Sequence, residues 1–304
     1  MAETSHENNG VGYVGIGAMG KGIAANLLAY TQQEGRPFFV SNRTKDKASF
    51  LVDKGATLVN SPSDLPAKCS VVMSCLANDA AVQEVFGEYL QGKPSRGSLY
   101  IDCSTIYPTT AEELTEKGQL AEVHFIHCPV FGGPGAAADK KLLVVSAGDA
   151  ESRAQAKPYL EAIGKGVLDV GDQARSSGAL KLIGNFFVSS MIELIAEGTA
   201  LADRNNIPQS AVLEVLNLLY PSPIVERNFD RITTDAFECT ADRPGTPVIN
   251  GIKDVSHIVR LGQNSGVPLA TAETMLRHLQ GLKEEGKEGL DWSAVALGVR
   301  KQTK

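Results

Sequence analysis

An apolar, β-rich run, Val11–Ile16, leads straight into Gly15-Ile16-Gly17-Ala18-Met19-Gly20, and a helical pattern follows from Met19 to about Tyr30. G-x-G-x-x-G between a strand and a helix constrains this chain more than any other feature. The first glycine permits a tight turn. The second lets the backbone approach a pyrophosphate, and the third lets helix and strand pack closely. The helix N-terminus then offers N–H groups and positive potential to an anion. A glycine-rich turn alone can be ligand-free. At the head of an alternating series it predicts dinucleotide binding through Gly15, Gly17, Ala18, Met19 and Gly20.

The alternation continues. Phe38–Val40, Ser70–Cys75 and Ser98–Asp102 read as strands, and Ala48–Val52, Ala80–Phe86 and Thr110–Glu116 as helical segments. Val123–Cys128, Leu142–Ala147 and Gly166–Val170 are further strand candidates. Strands alternating with helices predict βαβ units and a mostly parallel sheet. After about residue 174 the period changes. Leu180, Ile183, Phe186, Phe187, Met191, Leu194, Ile195 and Leu201 recur at helical spacing on more than one face. They predict one long helix from about Ala174 to Asp203, buried on several sides. Gln209–Leu219, Ile249–Asn264, Ala270–Glu285 and Trp292–Val299 follow as helical segments, punctuated by Pro208, Pro221, Pro223 and Pro268. The expected class is α/β. Residues 1–173 form a dinucleotide-binding domain with 1–9 a loose tail, and residues 174–304 form an all-α domain that opens with the long helix.

Composition removes several alternatives. The 304 residues carry a net charge of −6, which argues against nucleic acid as the main partner, because phosphate contacts need a basic surface. The five cysteines, Cys69, Cys75, Cys103, Cys128 and Cys239, include no C-x-x-C pair. They fit neither a disulfide framework nor a zinc site and read as free thiols in a reducing compartment. His124 and His127 fall on opposite faces of one strand, so no metal site is expected. The polar N-terminus lacks a signal or transit pattern, and no apolar run approaches the length of a membrane span. The expectation is a cytoplasmic protein with no membrane partner.

The second strand bears on the cofactor. An NAD site usually places an acid about 20 residues past the loop. Here Phe38-Phe39-Val40-Ser41-Asn42-Arg43-Thr44-Lys45 contains none before Asp46. Arg43 can stack on adenine and pair with a 2′-phosphate while Thr44 donates a hydrogen bond, which favours NADP(H) over NAD(H).

Three more segments carry chemistry. Ser104 and Thr105 follow a strand at its carboxyl end, where open α/β sheets bind ligands, and could serve a substrate carboxylate or a nicotinamide; helix capping is the plainer alternative. Pro129-Val130-Phe131-Gly132-Gly133-Pro134-Gly135 is a second glycine loop whose N–H groups could hold an anion, or is simply a turn. Lys181 and Asn185 are four apart in the apolar long helix and share a face. Burying them unpaired would be costly, and burial makes an ammonium a readier proton donor to a carbonyl oxygen. Gly178 and Gly184 in the same helix are explained if a ligand or another helix comes close.

The ordered set resembles the β-hydroxyacid dehydrogenases, the group containing 3-hydroxyisobutyrate dehydrogenase and the glyoxylate/succinic semialdehyde reductases. The matching segments are the 15–20 loop with Asn26-Leu27, Asn42-Arg43-Thr44, Asp102-Cys103-Ser104-Thr105-Ile106, Pro129-Val130-Phe131-Gly132-Gly133, Gly178-x-x-Lys181-x-x-x-Asn185, and Lys253-Asp254. The resemblance implies a Rossmann domain, a long interdomain helix and a helical domain that helps form a homodimer or homotetramer. It implies Lys181 as general acid/base with Asn185 beside it, and Ser104, Gly132 and Gly133 on the carboxylate of a small substrate. It also implies Leu76, Ala77 and Lys253 at the cofactor.

Two departures stand out. Phe131 replaces a serine common in the family, and Ala138-Asp139-Lys140-Lys141-Leu142 stands where members often carry a glycine before the leucine. Imine reductases share the architecture and prefer NADPH, but usually lack the lysine; Phe131 and Phe186-Phe187 could build their apolar pocket. A binding module that has lost catalysis usually loses the lysine too. The 6-phosphogluconate dehydrogenases have a larger helical domain than the 130 residues after position 174 can form.

Overall fold

The computed structural model describes residues 8–240 and 242–302, so most of the expected N-terminal tail, residues 1–7, lies outside the described residues. The chain divides into two compact units, Met1–Lys181 and Leu182–Lys304.

In the first unit a six-stranded parallel sheet has the order β3-β2-β1-β4-β5-β6. Its strands are β1 (Gly10–Val14), β2 (Phe38–Ser41), β3 (Thr57–Leu58), β4 (Cys69–Ser74), β5 (Leu99–Asp102) and β6 (His124–His127). Side chains alternate across it with period two. Val11, Tyr13, Met73, Ile101 and Ile126 face one core, shared with Ile23 and Leu27 of α1 (Ala18–Gln33), Leu51 of α2 (Ser49–Val52) and Leu160 of α6 (Ala150–Ile163). Val14, Val72, Tyr100 and Phe125 face the other, with Phe86 of α3 (Asp79–Gln91) and Leu114 of α4 (Pro108–Leu120). Strand order reverses between β1 and β4, so their carboxyl ends open the crevice where such sheets hold ligands.

The last three strands leave this sheet. β7 (Val130–Phe131), β8 (Leu142–Ser146) and β9 (Gly164–Asp169) form a separate sheet in which β7 runs antiparallel to β8. Between β7 and β8 lies α5 (Pro134–Ala138), which is bound to α1. Asn26 Nδ2 donates to the Ala137 carbonyl at 2.8 Å, and a Cβ at Gly22 would lie 2.5 Å from the Ala138 nitrogen.

Helix α7 (Arg175–Arg204) begins in the first unit and continues into the second. The second unit contains α8 (Gln209–Leu219), α9 (Pro223–Thr233), α10 (Val248–Asn264), α11 (Ala270–Glu284) and α12 (Val295–Gln302). Leu182, Ile192 and Ile195 of α7 are buried, whereas Phe187, Leu194 and Leu201 are more than half exposed. One expectation for α7 is corrected: by length and composition alone it is apolar enough to cross a membrane. Core helices of soluble proteins pass the same test, and 44% of its most apolar window is buried.

Candidate active site

The glycine loop has the geometry its spacing predicts. Gly15 turns the chain at φ +101°, and a Cβ there would meet the Cys75 carbonyl oxygen at 2.4 Å. A Cβ on Gly20 would lie 1.8 Å from the Gly15 carbonyl oxygen, so only glycine lets α1 start against β1. A Cβ on Gly17 would meet nothing within 4 Å, and Gly17 and Ala18 are exposed, with Met19 half-buried. The residues present therefore fit a dinucleotide: open backbone lies where a pyrophosphate would approach a helix N-terminus.

Asn42, at the end of β2, braces this loop. Its Oδ1 accepts from the Ile16 N–H at 2.8 Å, and its Nδ2 donates to the Thr44 carbonyl at 2.7 Å. Arg43 and Thr44 are exposed, and the Thr44 hydroxyl does not cap the short turn Lys45–Ala48 that follows it. Both side chains are available to a phosphate.

At the carboxyl ends of β4, β5 and β6 lies a buried polar network that sequence reasoning missed. Asp102 is fully buried, and its Oδ1 accepts from the hydroxyls of Ser74 and Ser104, each at 2.7 Å. Burial pushes its carboxyl up to about 6, although the two serine hydroxyls pull the other way. Ser104 is 1% exposed; its Oγ also accepts from the Leu76 N–H at 2.8 Å. Its single proton therefore goes to Asp102 in this structure, rather than standing ready for a ligand. Thr105 and Leu76 are half-buried and Ala77 is exposed, all three at the same sheet edge.

His127 links this edge to α7. Burial pushes it down to about 4, so the ring is neutral at pH 7. The Ser104 carbonyl, 2.9 Å from Nε2, can only accept, which places the ring proton there. Nδ1 lies 3.1 Å from the Ser177 hydroxyl on α7. One residue on, Gly178 brings the helix close: a Cβ there would be 3.3 Å from Pro108 Cα and 3.5 Å from His127 Cε1. That neighbour is the close approach the helical glycine predicted.

Lys181, one turn further, is 8% exposed, and its ammonium lies over the Phe131 ring, 4.3 Å from the centroid. Gly132 then turns away at φ +131°, where a Cβ would meet Leu142 at 2.8 Å. Gly132 is exposed and Gly133 half-buried. Lys140, two residues before Leu142, is left-handed at φ +57°.

In the second unit the predicted residues meet on one carboxylate. Asn185 Nδ2 donates to Asp254 Oδ2 at 3.0 Å, and the Lys253 ammonium is 3.0 Å from Asp254 Oδ1. Asp254 thus braces two candidate residues. Elsewhere in this unit His278 Nδ1 lies 2.7 Å from Glu193, both buried. All five cysteines are free, with Cys69 and Cys128 pushed up to about 12 by burial. Among the described residues no group of three or more His, Cys, Asp or Glu could hold a metal.

Comparison with known proteins gives the family and the fold. The family model for the NAD binding domain of 6-phosphogluconate dehydrogenase matches residues 10–171. An uncharacterized oxidoreductase, YfjR, of Bacillus subtilis is 32% identical over 297 residues, 95% of this chain and 99% of that protein. The NADH-dependent oxidoreductase ucdB of Aspergillus ustus is 29% identical, covering 94% and 97%. Glyoxylate/succinic semialdehyde reductase 1 of Arabidopsis thaliana is also 29% identical, covering 95% and 98%. Among solved structures, 3-hydroxyisobutyrate dehydrogenase of Mycobacterium tuberculosis superposes with a TM-score of 0.84 at 22% identity, covering 96% and 99%. An imine reductase from Pseudomonas sp. gives 0.59 at 17%, covering 95% and 99%. At these identities the two structures speak for the fold.

Proposed function

The chain belongs to the NAD-binding family of 6-phosphogluconate dehydrogenase, an oxidoreductase family, and from that premise we propose that it is an NADPH-dependent reductase of the β-hydroxyacid dehydrogenase type. It reversibly reduces a small aldehyde or keto acid to the hydroxy acid. The observation that carries this reading is the buried lysine, Lys181, held by α7 in the same compact unit as the glycine loop.

Open backbone at Gly17 and the braced loop at Asn42 receive the dinucleotide. Arg43 and Thr44, with no acid before Asp46, support NADP(H). The bound nicotinamide supplies or accepts the hydride. Lys181 gives its proton to the carbonyl oxygen in reduction and takes it back in oxidation, and its charge stabilises the oxygen anion as it develops. Asn185, braced by Asp254, orients the reacting oxygen or the lysine, and Lys253 is a cofactor contact. Gly132 and Gly133 hold the substrate carboxylate with their N–H groups, with Thr105 beside the substrate and the nicotinamide. Ser104 joins them only by giving up its bond to Asp102. The exposed stripe of Phe187, Leu194 and Leu201 fits a second copy of the chain, in a homodimer or homotetramer.

The test is NADPH and NADH oxidation at 340 nm against glyoxylate, succinic semialdehyde, methylmalonate semialdehyde, an aromatic β-keto acid and a cyclic imine, on protein of measured native mass. We expect an assembly of two or four chains, a preference for NADPH and turnover of a carbonyl acid. Lys181→Ala should lower kcat by about 10²- to 10⁴-fold. Turnover of the imine alone, or activity that survives without Lys181, would replace this reading with an imine reductase, whose apolar pocket Phe131 could line. Binding of NADPH without consumption by any substrate would point to a non-catalytic module.

A further inference from the structure

We infer that Phe131 is a positioning residue for Lys181, its ring face seating the ammonium where the proton is delivered; this rests on Lys181 being the proton donor. The ring is fixed by its backbone. Phe131 pairs with Leu143 across β7 and β8, the Val145 N–H donates to the Pro129 carbonyl at 2.9 Å, and Gly132 turns the chain immediately after. The lysine's helix is fixed as well, through Ser177 on His127 and Gly178 against Pro108.

Between these two supports the ammonium lies 4.3 Å from the ring centroid, on a lysine that is 8% exposed. A cation within about 6 Å of a ring face is attracted by the ring quadrupole, most strongly when desolvated. A lysine stem is long and flexible, and an ammonium is a compact charge with rotatable donors. The ring narrows where that charge can sit.

The contact is read first without substrate. In protein carrying 13C-labelled lysine, the Lys181 ε-methylene signal, assigned by its loss in Lys181→Ala, should lie upfield of the other lysines through the ring current. The shift should vanish in Phe131→Leu and persist in Phe131→Tyr. No upfield signal in the wild type overturns the inference.

Kinetics with NADPH and succinic semialdehyde, or whichever panel aldehyde turns over, then read the consequence. Phe131→Leu keeps apolar bulk and should lower kcat five- to tenfold, about 1 to 1.4 kcal/mol, with KM for NADPH within about twofold. Phe131→Tyr should recover most of that loss. In the Lys181→Ala background the same leucine substitution should cost less than about twofold, because there is no ammonium left to seat. An equal loss in both backgrounds would mean that the ring acts on substrate, and the inference would fall while the lysine chemistry stood. If Lys181→Ala alone leaves kcat intact, the chemistry falls instead. Thermal melts of each variant separate misfolding from either outcome.

Discussion

The two units hold their candidate residues by different means. In the first, the candidate site is written largely in backbone: Gly15 and Gly132 at positive φ, Gly20 against a carbonyl, and Gly17 beside open space. In the second, side chains hold side chains, as Asp254 holds Asn185 and Lys253, and Glu193 holds His278. Backbone requirements leave a mark in sequence, because few residues other than glycine meet them. Side-chain braces leave almost none, since an aspartate on a helix looks the same whether or not it holds anything.

The sharpest way to break this contrast is inside the glycine loop. Gly20→Ala puts a Cβ 1.8 Å from a carbonyl oxygen and should cost about 3 kcal/mol or more in urea unfolding. Gly17→Ala meets nothing within 4 Å. It should leave stability within about 0.5 kcal/mol while raising the NADPH Kd at least roughly tenfold. Normal NADPH binding by Gly17→Ala would show that the loop is not the cradle.

Asp102 and His127 are the side-chain brace of the first unit, so they test whether the contrast is complete. Asp102 is raised to about 6, so in folded protein it keeps its proton where the unfolded chain has lost it; its share of stability falls as pH rises from about 4 to 6. His127 is lowered to about 4, so the unfolded chain binds the extra proton there, and its share rises over the same range to about 6.5. The two slopes oppose each other. Wild-type stability from these groups should be nearly flat between pH 4 and 6. Asp102→Asn should uncover a rise, and His127→Gln a fall, each approaching about 1.4 kcal/mol per pH unit. Urea midpoints measured across that range decide it, and unchanged slopes in both variants would refute the buried pair.

The smallest effect concerns a backbone position that sequence does not announce. Lys140 sits at φ +57° with a side chain in place. Lys140→Gly should stabilise the first unit by roughly 0.5–1 kcal/mol, because glycine enters that region freely. A loss of stability would mean that the lysine stem contributes contacts worth more than the strain.

Legibility follows the same division. The 15–20 loop, the parallel alternation and the span of α7 were readable, since each depends on period or on glycine. The separate second sheet was not, because β7 has two residues, too few for a period. Helix α6 hid behind alanine and charge, and α9 behind its flanking prolines and polar face. Lys181 was readable as a charge in an apolar run. Its seat on Phe131 was not, since nothing in the spacing of 131 and 181 signals contact. The Ser74–Asp102–Ser104–His127 network needed the sheet to bring three strand ends together.

The seam between α1 and α5 carries a consequence of its own. Asn26 and Gly22 bind the helix that starts at the glycine loop to the short helix that follows Gly132–Gly133. A ligand that steadied the first would steady the second as well, and by reciprocity anything that ordered the second would tighten binding at the first.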